Sequence, residues 1–199
     1  MTDLYIGVDC GLGGAVGVVD AAGAFVSVWD MPVVAVGRGT VRREVDAVGL
    51  ADLLRPLAAD IRLAVVERVG AMPKQGLSST FSFGRSLGIA EAVLAALQIP
   101  SVLVSATTWK KRCSVPADKR EARAIARRRW PTAPLELVRH DGRAESLLLG
   151  WYGIACARPE AALPGLDPGP LAGVRAPVAI TLPADERDAP AAGSSTTRK

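Results

Sequence analysis

The sequence predicts a mixed α/β domain in which a central sheet is flanked by helices. Three observations predict it. β-rich apolar runs open the chain in close succession, later apolar runs alternate with helical spacings in the order βββαβαβαα, and hydrophobic residues make up 49% of the 199 residues. A chain this apolar buries a sizeable core and is not disordered as a whole.

Leu4 to Asp9 and Ala15 to Asp20 are strands joined through Cys10-Gly-Leu-Gly-Gly14, and Ala24 to Trp29 offers a third, so the chain opens as an antiparallel meander. Val45 to Ala59 has helical spacing through Val48, Leu50, Leu53, Leu54 and Leu57, with Pro56 disturbing its end. Arg62 to Val69 is a strand, Ser78 to Leu97 a long helix and Ser101 to Val104 a buried strand. Asp118 to Arg129 forms a basic helix and Gly142 to Ala157 a final amphipathic one, with Ala144, Leu147, Leu148, Trp151 and Ile154 facing inward. From Pro159 the chain holds seven of its 14 prolines and then loses apolar periodicity, so residues 1–158 read as the folded domain and 159–199 as a Pro-rich extension and tail.

Composition excludes several classes. Cys10, Cys113 and Cys156 cannot close a set of disulfide pairs and lack the clustering of a zinc site, which fits a reducing cytoplasm. No basic flank precedes the first apolar stretch, and Asp9 interrupts it, so export is not expected. The run from Ala92 to Trp109 is split by Gln98 and Pro100, so no membrane span is expected either. Charge is unevenly placed. The chain carries +4, yet Trp109 to Trp130 alone holds nine basic residues against Asp118 and Glu121. A basic block on an otherwise slightly acidic chain points to a polyanion-binding surface, with a solvated helix face as the plain alternative.

Four acids mark the ends of apolar elements. Strand alternation puts Gly7, Asp9 and Gly11 on the face opposite Ile6 and Val8, so Asp9 emerges among glycines with clearance for a ligand or metal ion. Glu67 continues the row of Leu63 and Val65. Asp141 and Glu145, in His140-Asp-Gly-Arg-Ala-Glu-Ser146, are four apart and share a helical face. Each has a structural alternative: turn chemistry for Asp9, a fraying strand end for Glu67, and helix capping with dipole stabilisation for Asp141 and Glu145. Together, carboxylates without clustered cysteine favour a hard cation, Mg²⁺ or Mn²⁺, and two such ions about 4 Å apart suit phosphodiester hydrolysis.

Ile6-Gly-Val-Asp9, Ala64-Val-Val-Glu67, the stretch from Ala71 to Gly88, Thr108-Trp-Lys-Lys111 and His140-Asp-Gly-Arg-Ala-Glu145, in this order and spacing, resemble RuvC-type Holliday-junction resolvases, especially the phage-associated branch. The resemblance spans residues 4 to 157. It implies a ribonuclease-H-like fold, a homodimer with two active sites, and Mg²⁺-dependent nicking of branched DNA, with Asp9, Glu67, Asp141 and Glu145 as catalytic acids binding two Mg²⁺ ions. Members of the family often space the last pair three apart, whereas here it is four. His140 is a further candidate, with a capping role as its alternative. Lys74, Gln75, Arg85, Lys110, Lys111, Lys119, Arg123 and Arg127 are expected on DNA. Ala122, Ile125 and Ala126 would face the sheet behind the row Lys119, Arg123 and Arg127. The helix from Ser78 resembles the family's dimer helix, where Gly84 and Gly88 would admit another backbone or pack within the subunit. Phe81 and Phe83 are expected to be buried, with base stacking as the functional alternative.

Two other classes compete. The glycine-rich run from Ile6 to Val19 also resembles the first phosphate loop of actin-like and sugar-kinase phosphotransferases, which would need a second such domain. A junction-binding protein without catalysis would keep the fold but has no reason to keep four acids.

Overall fold

A computed structural model describes residues 3–37, 42–68, 70 and 76–157. Its main sheet has five strands: β1 (Leu4–Asp9), β2 (Ala15–Asp20), β3 (Phe25–Asp30), β6 (Ile61–Arg68) and β7 (Ser101–Ser105). They lie in the order β3-β2-β1-β6-β7. β1 and β2 pair antiparallel, as do β2 and β3, whereas β6 runs parallel to β1 and β7 parallel to β6. The antiparallel meander, the mixed sheet and the flanking helices all agree with expectation.

Two elements lie outside that expectation. Residues between β3 and the first helix form a separate two-stranded ribbon, β4 (Val33–Val36) with β5 (Arg42–Val45). Four-residue strands, one with a charged start, carry too little alternation to stand out from a loop. The second is the seven-residue helix α3 (Ala106–Arg112), capped by Ser105, whose hydroxyl accepts from the Thr108 N–H. The helix expected over Val45 to Ala59 is shorter, α1 (Ala47–Leu54), started by Asp46 and passing into a 3₁₀ turn over Arg55–Leu57. Pro56 sits in the first turn of that segment, where a missing N–H leaves no bond unmade.

Each face of the sheet carries its own core. α1 and α2 (Leu77–Ala96) cover one face, over Leu4, Ile6, Val8, Val16, Val18, Ala64 and Val66. The other face takes α5 (Asp141–Ala157), with α3 and α4 (Lys119–Arg129) around it, over Tyr5, Val19, Leu63 and Val65. Ala122 and Ala126 of α4 are buried in this second core, and Ile125 packs partly against it. The final helix is not a one-sided amphipathic element. Thirteen of its 17 residues are buried, because α4 covers the flank turned away from the sheet.

Glycine explains how closely α5 lies. Gly7 and Gly17 are directly opposed in the β1–β2 register. A Cβ on Gly7 would stand 2.0 Å from the Ser146 carbonyl oxygen, and one on Gly17 2.5 Å from the Leu147 amide nitrogen. The clearance at Gly7, read from sequence as room for a ligand or ion, is therefore filled by the α5 backbone. Gly142 does the same at the end of the helix, where a Cβ would meet the Gly13 oxygen at 2.6 Å. Among the described residues, no helix is long and apolar enough to cross a membrane. The expected tail, 159–199, lies outside the described residues.

Candidate active site

Asp9 is the last residue of β1 and Glu67 the last but one of β6, so two neighbouring parallel strands deliver acids at their C-terminal ends. α5, seated over the Gly7–Gly17 trench, brings Glu145 to the same edge. Glu145 acts on both other carboxylates, and Asp9 acts on Glu67. Burial pushes the Asp9 pKa up, and Glu145 adds to the rise; the Gly11 N–H, donated to Asp9 Oδ1 at 3.1 Å, and the charges of Lys119 and Lys110 work against it. Burial, then Asp9 and Glu145, lift Glu67 to about 7, opposed by Lys110 and by the Trp109 indole. That indole N–H is buried and lacks a partner of full hydrogen-bond geometry among the described residues. It lies near Glu67 without closing a bond to it.

Asp141 joins from the side. It lines a cavity of about 890 Å³ together with Asp9, the Gly11–Gly14 turn, Lys119, Arg139 and the serines of α2. The turn is tight enough to need glycine at its end, since a Cβ on Gly14 would stand 2.1 Å from the Asp9 carbonyl oxygen. Asp141 has helical backbone angles and does not sit in the extended conformation of a capping residue. Its carboxylate accepts from Arg123 Nη1 at 2.8 Å.

Sequence reasoning missed how the basic block divides. Lys110, expected on DNA, is mostly buried and donates to Glu145 Oε1 at 2.6 Å. Arg123, expected in a row on DNA with Lys119 and Arg127, donates to Asp141 and to the Val138 carbonyl. Both cations face inward because α3 and α4 pack beside α5, where an acid is affordable only with a partner. Lys111, Lys119 and Arg127 are exposed. Arg85 is tied to Glu44 of β5 at 2.6 Å and is not a free cation. Lys74 and Gln75 fall outside the described residues. His140 is buried, accepts from the Leu137 N–H through Nδ1 at 3.3 Å and closes the 3₁₀ turn before α5, which fits its capping role. Burial, then the charges of Arg143 and Arg139, lower its pKa.

The helix α2 also departs from expectation. Phe81 and Phe83 are exposed, at 74% and 38%, and are not core residues. A Cβ on Gly84 or Gly88 would meet nothing within 4 Å among the described residues, so no described packing within the subunit accounts for these glycines.

The carboxylates suit a hard cation in chemistry: oxygen donors only, crowded until two of them resist ionisation. As they stand, no three acidic, histidine or cysteine side chains among the described residues converge closely enough to hold a metal ion. Lys110 occupies Glu145 and supplies part of the missing positive charge.

No protein-family model matches the chain, and no curated protein matches it. Among solved structures it is similar to Thermus thermophilus RuvC, at 15% identity over 80% of this chain and 97% of that one, with a TM-score of 0.44. It is also similar to T. thermophilus RuvC in complex with a Holliday junction substrate, at 12% identity over 79% of this chain and 93% of that one, with a TM-score of 0.47.

Proposed function

We propose that the protein is a RuvC-type, metal-dependent endodeoxyribonuclease that nicks four-way or related branched DNA as a homodimer. The observation that carries this reading is that Asp9 and Glu67, at the ends of the first strand and a central strand, are buried beside Glu145 of the last helix, and that burial first and neighbouring carboxylates second raise the pKa of both. Buried carboxylates whose pKa is raised by burial and neighbouring acids are poised for a cation or a proton, and such groups mark functional sites. In this reading Asp9, Glu67, Asp141 and Glu145 hold two Mg²⁺ ions, with Mn²⁺ as a substitute. Bound there, the ions supply Lewis acidity for phosphodiester hydrolysis.

The chain's own residues do the rest. The Gly11 N–H fixes the Asp9 carboxylate, Lys110 orients Glu145, and Arg123 orients Asp141. Lys119 and Arg139, on the cavity wall, attract the phosphodiester. Exposed Lys111 and Arg127 extend the positive surface. Dimerisation is supported by α2, where Leu77, Phe81, Gly84 and Gly88 follow helical spacing on an exposed face. Small residues in such a row let a second helix approach closely, and Phe81 and Phe83 remain available to unpaired bases.

Asp9→Asn and Glu67→Gln test the assignment. Each should lower Mg²⁺-dependent nicking of a labelled four-way junction by at least about 10³-fold, while binding of the same junction in EDTA stays intact. Near-normal cutting by either variant would remove that acid from the site.

A further inference from the structure

The acidic cleft does not end at α2. A second cavity of about 360 Å³ is lined by that helix and by β5 of the β4–β5 ribbon, and Ser78, Ser82 and Ser86 line both. Ser86 is 4% exposed. It is the one polar residue among the buried positions of α2, beside Ala90, Val93 and Leu94. It stands in the wall shared by the two cavities.

Across the second cavity stand Arg42 and Arg43, adjacent on β5 and both exposed. The acid next to them, Glu44, is consumed by Arg85 at 2.6 Å. That ion pair does two things. It removes the ribbon's described negative charge, leaving Arg42 and Arg43 uncompensated, and it pins the ribbon to α2, so that the arginines hold a fixed distance from the serines. The wall therefore passes from Lys119 and Arg139, across the serines, to Arg42 and Arg43, with donors throughout.

We propose that Ser82, Ser86, Arg42 and Arg43 form a second site for the DNA backbone, taking phosphates of the strand that leaves the acidic cleft across α2. Hydroxyl and guanidinium donors suit phosphate oxygens and ignore base identity, so the site holds strand position and not sequence. The inference rests on the nuclease reading above, and it adds a contact surface that starts at the wall of the acidic cleft and lies outside the basic block.

The test is equilibrium binding of a labelled four-way junction in EDTA across a salt series, for wild type, Arg42→Ala/Arg43→Ala, Arg42→Lys/Arg43→Lys and Ser86→Ala, each checked for native melting. The alanine pair should bind about tenfold more weakly at 0.1 M salt, with a log–log salt slope shallower by about 2, and the lysine pair should recover that slope. Ser86→Ala should bind a few-fold more weakly at unchanged slope, because a hydroxyl releases no counterion. An alanine pair with wild-type affinity and slope overturns the second site and leaves the nuclease reading standing. A wild type that neither prefers branched to linear DNA nor cuts it overturns the reading beneath.

Discussion

α5 and α2 lie on opposite faces of one sheet and treat their surfaces in opposite ways. α5 is buried through most of its length and carries glycines that face backbone, while α2 is longer, buries only Ser86, Ala90, Val93 and Leu94, and carries glycines that face nothing. The same residue type thus marks two unlike situations. In α5 and in the strands beneath it, missing side chains create the depth at which an acid can reach the sheet edge. In α2 they leave a bare helical face and a serine row beside the cleft. The lesson is one of division: the α5 side builds the carboxylate geometry, and the α2 side leaves its surface exposed.

The largest expected effect comes from closing the trench under α5. Gly7→Ala places a methyl 2.0 Å from the Ser146 oxygen and 2.5 Å from the Gly150 nitrogen, both of them backbone atoms that cannot turn aside. α5 must then lift from β1. Stability should fall by at least about 3 kcal/mol, read as a lower urea midpoint, and Glu145 should lose its position beside Asp9. A Gly7→Ala protein of wild-type stability would show that the helix is not seated by the glycine pair.

Much of this architecture is legible in the sequence, and the places where it is not have physical causes. The meander, the mixed sheet and the placement of Asp9, Glu67, Asp141 and Glu145 near element ends follow from alternation and helical spacing, which depend on near neighbours in the chain. What Gly7 clears space for does not, because the answer lies at Ser146 and Gly150, far along the sequence. The basic block misleads for the same reason. Lys110 and Arg123 look like their exposed neighbours until α3 and α4 turn them toward Glu145 and Asp141. Phe81 and Phe83 invert the usual burial of aromatics, and nothing in their local spacing distinguishes them from core residues. The β4–β5 ribbon is too short to carry a pattern.

A smaller effect sharpens the comparison on the charged side of the sheet. Glu67 has an ordinary pKa of 4.5 when unfolded and about 7 in the folded protein, so between these values the folded chain holds the extra proton. Stability from this group is therefore complete below about pH 4.5 and is lost as pH rises through about 7. Without divalent cations, the stability difference between Glu67→Gln and wild type should grow in favour of the variant by about 1–2 kcal/mol from pH 4.5 to pH 8, after allowance for the solvent that reaches the carboxylate. Chemical denaturation at each pH measures it. A difference that stays flat would mean that Glu67 ionises freely and that the three acids do not crowd one another.

The smallest effect is also the one with opposite signs in two assays. Alanine at Gly84 and Gly88 meets nothing within 4 Å, so the doubled substitution adds helix propensity without a clash. Each change should stabilise the subunit by about 0.5–1 kcal/mol at protein concentrations where it is dissociated. If these glycines seat the backbone of a partner helix, the same two methyls push that helix away, and sedimentation should show weaker self-association despite the more stable fold. A gain in stability with self-association unchanged would leave α2 bare for DNA alone. Because the identical chemical change at Gly7 should destabilise the fold, the pair of experiments separates glycine kept for packing within a subunit from glycine kept for what arrives from outside.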